Sequence, residues 1–416
     1  MSRGDFMAYI ELRKLYYGDK SEYAQAYLTR FNSKDAIKIN FNIADKQAFF
    51  LQCSEVMQLA YKIAKLDKEV LMLSQELPGV AHTQYYKKCI IDEIVLTNKI
   101  EGVHSSRKEI GDVLSVLAQQ SNEKGNHHRF IGLVNKYLML MTKEELSLKT
   151  CQDVRSLYDE ICLEEVILEN PNNAPDGIIF RKEKTSIHSI TDKVIHTGIM
   201  PEKNIIDAMN KALFFFNDKS VEKLFRICLF HYLIEYIHPF YDGNGRLGRF
   251  ILSYCISETL EPLVALRISE VIKENISKYY KAFEICNDPR NLGDLTPFLI
   301  MLLNMIYMAM KDLRDSLTRR LLSWKEYEEL LFNLPDIPCD KNMRKMYSYL
   351  IQATLFSEDG ISTSELKAEF DGSYHIVKKL LDTIPGSLLI SHRKGRAKYY
   401  QINLSFLDEK LLKNKL

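Results

Sequence analysis

Residues 219–237 read Lys-Ser-Val-Glu-Lys-Leu-Phe-Arg-Ile-Cys-Leu-Phe-His-Tyr-Leu-Ile-Glu-Tyr-Ile, a helical spacing that is apolar nearly all round. A helix without a polar face has to be wrapped by other elements, so this segment predicts a central buried helix inside a helical shell. His231 within it reads as a core histidine. Pro239 stops the helix and sets the entry to the next loop. The helix thereby delivers His238 into His238-Pro-Phe-Tyr-Asp-Gly-Asn-Gly-Arg-Leu-Gly-Arg249. Glycines at 243, 245 and 248 let the backbone turn tightly and approach a ligand without a Cβ in the way. Gly-Asn-Gly opens directly into a second helical pattern, and a glycine-rich turn at a helix start aims unpaired N–H groups at an anion. Arg246 and Arg249 lie three apart, on one helical face, where two guanidinium forks can hold phosphate oxygens. Asp242 is a hard oxygen ligand of the kind Mg2+ uses when it bridges phosphates. His238 is a candidate base for a hydroxyl attacking that phosphate. Gly-Asn-Gly alone would suit a capped surface turn. The histidine, the aspartate and the phased arginines together favour the phosphate site.

This stretch resembles the signature of the Fic family, His-x-Phe-x-Asp/Glu-Gly-Asn-Gly-Arg-x-x-Arg, with every fixed position matched. The resemblance implies a mainly α fold: a Fic helical core carrying a β-hairpin flap. It also implies transfer of AMP from ATP to a Ser, Thr or Tyr hydroxyl of a target protein and of the enzyme itself. By position, His238 is the base and Asp242 the Mg2+ ligand. Gly243, Asn244, Gly245, Arg246, Leu247, Gly248 and Arg249 form the nucleotide cradle, with ATP and Mg2+ as cofactors.

Three flanking segments take on meaning beside that signature. Thr97-Asn-Lys-Ile-Glu-Gly102 ends a helical pattern over about 84–102 and by itself is a helix with a glycine stop. It resembles the family's inhibitory motif Ser/Thr-x-x-x-Glu-Gly/Asn. The resemblance implies that Glu101 pairs with Arg249 and withholds it from the γ-phosphate. Residues 177–200 alternate β-branched and polar residues around Ser189-Ile-Thr-Asp-Lys, a hairpin pattern. In the family a flap here pairs with the target backbone, which implicates Ile195, His196, Thr197 and Gly198. His188 and His196 read as exposed strand residues, not ligands. Tyr279-Tyr280…Asn287 suits helix core by composition, and its spacing resembles the family's nucleoside-contacting segment.

The rest of the chain sets bounds. Formal net charge is +1 over 416 residues, which argues against a global nucleic-acid or membrane field. Eight scattered cysteines without Cys-x-x-Cys suggest free thiols in a reducing compartment. The start lacks the apolar core of a signal peptide and no uninterrupted apolar run reaches spanning length, so a cytoplasmic protein without a membrane partner is expected. Residues 1–45 suggest a helix or two, and 46–76 a helix throughout. The expected domains are 1–105 (N-terminal helical region), 106–316 (Fic core), 317–340 (helix and linker), 341–404 (winged helix-turn-helix) and 405–416 (tail). The 341–404 segment resembles a winged helix-turn-helix, with a basic wing (Arg393, Lys394, Arg396, Lys398) and Lys378 and Lys379 on its third helix. DNA binding and protein docking are both open for it, and a homodimer that controls the Glu101 helix is open for the whole. Two alternatives to AMP transfer stand: removal of AMP with Glu101 as base for water, and a DNA-binding regulator with a nucleotide-sensing core.

Overall fold

The computed structural model describes residues 9–118, 129–142, 144–188, 194–334, 340–395 and 397–415. Ser189 to Lys193 of the hairpin pattern, the polar turn after 118, the linker at 335–339 and Arg396 lie outside the described residues. The chain is mainly helical and divides into two compact units, Met1–Lys68 with Ile90–Lys311, and Glu69–Cys89 with Asp312–Leu416.

The first unit is built around the helix Lys223–Ile237. All but three of its residues are buried, from Leu224 to Ile237, in keeping with its unbroken apolar surface. Leu233, Ile234 and Ile237 are fully buried, and each such side chain contributes about 1.5–3 kcal/mol through burial. The helix packs against Glu202–Asn217 on one side and Asn244–Ser257 on another. Asn244–Ser257 is itself buried along its whole length. Residues Ile90–Ile100 of the helix Gly79–Ile100 also belong to this unit.

Tight helix contact appears at Gly132 in Ile131–Thr142. A Cβ there would fall 1.8 Å from the carbonyl oxygen of Glu160. Glu160 lies in a π-helical turn, Asp159–Leu163. Gly132→Ala is therefore expected to cost about 1–3 kcal/mol, the usual scale of overpacking. A melting temperature equal to that of the wild type would refute this close contact.

At the N-terminal side the structure corrects the reading of 46–76 as one helix. Ala36–Ile43 and Lys46–Leu51 form an antiparallel hairpin, and the helix begins only at Ser54. Ile39, Phe41 and Ile43 are buried while Lys38, Asn40 and Asn42 between them are exposed, a strand's period of two. The turn is Ala44-Asp45, both at positive φ, as a two-residue hairpin demands. Neither residue is the glycine that marks such turns, so the signal was weak. The strand is extended by distant chain: Phe49 N donates to Gly293 O at 3.0 Å, and Leu295 N to Phe49 O at 2.8 Å.

The second unit carries Lys341–Phe356, Thr363–Glu369 and Tyr374–Thr383 beside a three-stranded antiparallel sheet. In that sheet Ala397–Ile402 lies between Ile361–Ser362 and Leu389–Lys394. The three helices and two strands expected over 341–404 are present in this order. The boundaries at 316 and 405 fall inside continuous helices, Thr296–Asn333 and Leu404–Lys415. Thr296–Asn333 is long and apolar enough to cross a membrane by length and composition, but 56% of its most apolar window is buried inside the protein. Lys394 of the strand Leu389–Lys394 is paired with Asp359. Glu365 closes the capping box of Thr363–Glu369 through Ser362 and also accepts from Gln84 (2.9 Å) and Lys87 (2.8 Å).

Candidate active site

His238 sits where the central helix ends, in the left-handed region at φ 52° and ψ 64°. A non-glycine residue held there needs outside support, and Arg181 provides it. This guanidinium, fully buried, donates to His238 O (2.9 Å), Ile199 O (2.9 Å) and Glu183 O (2.6 Å). Sequence reasoning missed Arg181, because nothing local distinguishes it from a solvated arginine. The same bonds tie the chain on either side of the hairpin to the loop. Ser186–His188 and Val194–Thr197 pair antiparallel, and Gly198 follows directly against the histidine. A Cβ at Gly198 would come 2.3 Å from Arg181 and 3.0 Å from the His238 side chain.

The loop is braced from within. Asn244 donates from Nδ2 to Phe240 O (2.9 Å) and accepts at Oδ1 from Phe240 N (3.0 Å). Its side chain is therefore spent on loop shape, and what it offers a ligand is backbone. Gly243 caps the helix at φ 78°, and the first-turn amides of that helix have no intrahelical partner. Asp242 lies half-buried at the loop mouth and accepts from Gly243 N at 2.5 Å. One carboxylate beside a phosphate cradle is a donor set that suits Mg2+. No cluster of three or more His, Cys, Asp or Glu able to hold a metal occurs among the described residues.

The two arginines do not both face a ligand as free forks. Arg246 is buried and paired with Glu165, whose carboxyl is pushed up to about 7 by burial against that pull. Arg249 is buried and turned the other way. Its Nε donates to Thr97 Oγ1 (2.8 Å), its Nη2 to Thr97 O (3.1 Å) and its Nη1 to Glu101 Oε1 (3.0 Å). Thr97 thus grips the same guanidinium as Glu101, a contact that the motif's spacing alone did not reveal. The helix bearing both is anchored one turn earlier by Glu93, which accepts from Ser269 N (3.0 Å), Ser269 Oγ (2.6 Å) and Ser253 Oγ (3.3 Å). Gly102, at φ 76°, ends it. Gly245 makes room for the pair: a Cβ there would lie 2.2 Å from Glu101 Oε1 and 2.8 Å from Arg249 Nη1.

A cavity of about 230 Å³ joins these groups. Its lining includes Glu101, His196, Glu235, His238, Gly245, Arg249, Tyr279, Tyr280 and Asn287. Asn287 Oδ1 accepts from Tyr232 OH at 2.6 Å, which leaves the amide NH2 for the cavity. Tyr279 is buried, its hydroxyl 2.7 Å from His231 Nε2, whereas Tyr280 is half-buried. Thr197, Gly198, Asp242, Gly243, Asn244, Arg246, Leu247 and Gly248 are not among the lining residues, and the Ile195 side chain lies outside the described residues. Leu247 is fully buried in the core.

The reading of His196 as exposed is overturned. Its Nε2 lies 2.6 Å from Tyr236 O and its ring packs against the Tyr236 ring, centroids 4.6 Å apart. Burial lowers its pKa. Burial also lowers that of His238, to about 3, with His196 and Arg181 adding to the effect. The imidazole is therefore neutral at ordinary pH, and burial makes it a weaker base than an ordinary histidine.

Comparison with known proteins gives this geometry a context. Residues 150–256 match the Fic/DOC family model. Protein adenylyltransferase fic-1 of Caenorhabditis elegans is 30% identical over 106 residues, 25% of this chain and 19% of that protein. Protein adenylyltransferase Fic of Drosophila melanogaster is 35% identical over 71 residues, 17% of this chain and 13% of that one. The match thus spans about a fifth or less of these curated relatives. In fold, the chain is similar to a Fic family protein from Desulfovibrio desulfuricans G20, with a TM-score of 0.50 at 17% identity, covering 84% of this chain and 96% of that one. With the His238–Arg249 signature inside the matched span, residues 150–256 are a Fic domain.

Proposed function

We propose that this chain transfers AMP from ATP to a hydroxyl of a protein and is held back by Glu101. The observation that carries this reading is one cavity holding a neutral histidine, a paired arginine and an aromatic–amide wall. The adenylyltransferase names of the relatives support the choice of nucleotide. His238 takes the proton of the target hydroxyl as its oxygen bonds to the α-phosphorus. The bond from that phosphorus to the bridging oxygen breaks, and pyrophosphate leaves. Loop amides face the growing charge. Asp242 would hold Mg2+, which supplies neutralisation of the phosphate charge. Tyr280 stacks on the base and the Asn287 amide donates to its edge. The flap backbone after Val194 offers strand pairing to an extended target. Cys53, Cys151, Cys162, Cys228, Cys255 and Cys286 are free thiols, which supports a cytoplasmic setting.

Incubation with α-labelled ATP and Mg2+ tests the reading: label should enter protein, and its absence even from a Glu101→Gly variant would refute it. The same Glu101 faces the cavity and could instead activate water for AMP removal. Offering pre-modified protein separates the two directions.

Arg249→Ala is best made in the Glu101→Gly background, where the guanidinium is free. Loss of a charge-assisted phosphate contact is worth about 1.5–3 kcal/mol, so ATP affinity should fall on the order of tenfold to a hundredfold. ADP should suffer less. Calorimetry with both nucleotides checks this, and equal losses would count against a terminal-phosphate role. Asp242→Ala should abolish the Mg2+ dependence of binding along with turnover.

A further inference from the structure

Glu235 has no place in the sequence reading, yet it lines the cavity with a carboxyl oxygen that has no hydrogen-bond partner. It lies on the central helix, one turn before His238, and is only 8% exposed. Its Oε1 is buried without a hydrogen-bond partner. It lines the cavity beside Arg249 and Glu101. A Cβ at Gly248 would meet that same oxygen at 2.4 Å, so the last glycine of the loop segment makes space for this carboxyl. Every other acid nearby has a partner: Glu101 on Arg249, Glu165 on Arg246 and Glu93 on two serines. Leaving a buried polar atom unpaired costs about 1–3 kcal/mol, and an incompletely paired carboxyl on a residue that lines a cavity is suited to meet a ligand there.

We propose that Glu235 is a nucleotide-contacting residue that keeps its carboxyl proton and donates it in a hydrogen bond to the phosphate chain of the bound nucleotide. The inference rests on the nucleotide site proposed above. Its logic is electrostatic. Arg249 and Glu101 cancel each other, so a third ionised group there would stand as an uncompensated anion facing phosphates. A neutral carboxyl removes that repulsion and supplies a donor.

Burial, reinforced by the Glu101 charge and opposed by Arg249, pushes the Glu235 carboxyl up to about 8. The other groups facing it titrate elsewhere. Burial drives His231 and His238 down to about 3 and lowers His196. It raises the Tyr279 and Tyr280 hydroxyls, while Arg249 is held charged by Glu101. Glu235 must be neutral to donate, so affinity should fall as pH rises through its pKa, by about tenfold per unit above it.

The test is ATP affinity by calorimetry from about pH 7 to about pH 9.5, a window around that pKa, for wild type, Glu235→Gln and Glu235→Leu. Wild type should lose affinity across the window. Glu235→Gln, which keeps a donor but cannot ionise, should bind nearly as well at the low end and show no pH dependence. Glu235→Leu should be weaker by about tenfold or more throughout. A flat wild-type profile, or equal losses in Gln and Leu variants, would overturn the assignment of Glu235 while leaving the site intact. If the Leu variant does not fold, the wild-type and Gln profiles decide alone. Failure of wild type to bind ATP at any pH would overturn the nucleotide-site reading itself, and this inference with it.

Discussion

His238→Ala is expected to reduce transfer of AMP by about two orders of magnitude or more, the scale of a lost general base, with nucleotide affinity little changed. The histidine ends a helix whose preceding residues are packed into the core, so its side chain can be removed without disturbing what positions the loop. The backbone position is held separately: Arg181 grips the His238 carbonyl and not its ring. The loop shape is held by Asn244. The variant should therefore keep the wild-type melting temperature. Single-turnover labelling with α-labelled ATP reads the rate. Near-wild-type labelling would remove His238 from the proposed mechanism, and loss of ATP binding would show that its role is structural.

Glu101→Gly is expected to act in the opposite direction, raising auto-modification by about tenfold or more, if at least about 1.4 kcal/mol of misalignment is relieved. The geometry makes the gain specific. Arg249 gives only Nη1 to Glu101, while Thr97 holds Nε and Nη2. Removing the carboxylate frees one edge of the guanidinium and leaves the rest aimed by Thr97. A buried cation that loses its anion is poorly solvated, and a terminal phosphate is the replacement the cavity admits. Thr97→Val, which drops the Nε bond, should blunt the activation when combined with Glu101→Gly. The measurement is incorporation of label by wild type, Glu101→Gly and both double variants, with Thr97→Val and with His238→Ala. An unactivated Glu101→Gly protein would remove autoinhibition from the account. Activation that survives His238→Ala would show that the added label does not come from the proposed chemistry.

The chain's own pattern determined those features in which neighbours in sequence are neighbours in space. The helix Lys223–Ile237 is apolar all round, so it could only be a core helix, whatever surrounds it. The loop from His238 to Arg249 keeps its histidine, aspartate, glycines and arginines within a few turns, so their local order survives any tertiary arrangement. The same holds for the capped helices and paired strands over 341–404. Tertiary structure decided the rest. The hairpin Ala36–Ile43 with Lys46–Leu51 is completed by Gly293 and Leu295, some 245 residues later in the chain, and Ala44-Asp45 carries little turn signal of its own. Phasing put Arg246 and Arg249 on one face, but Glu165 and Glu101 approach from different helices and draw the two side chains apart. His196 looked like a strand residue open to water until Tyr236 covered it. Arg181 and Glu235 carry no local mark. A buried charge or a buried unpaired acid is defined by what surrounds it in space, and that environment is assembled from segments far apart in the chain.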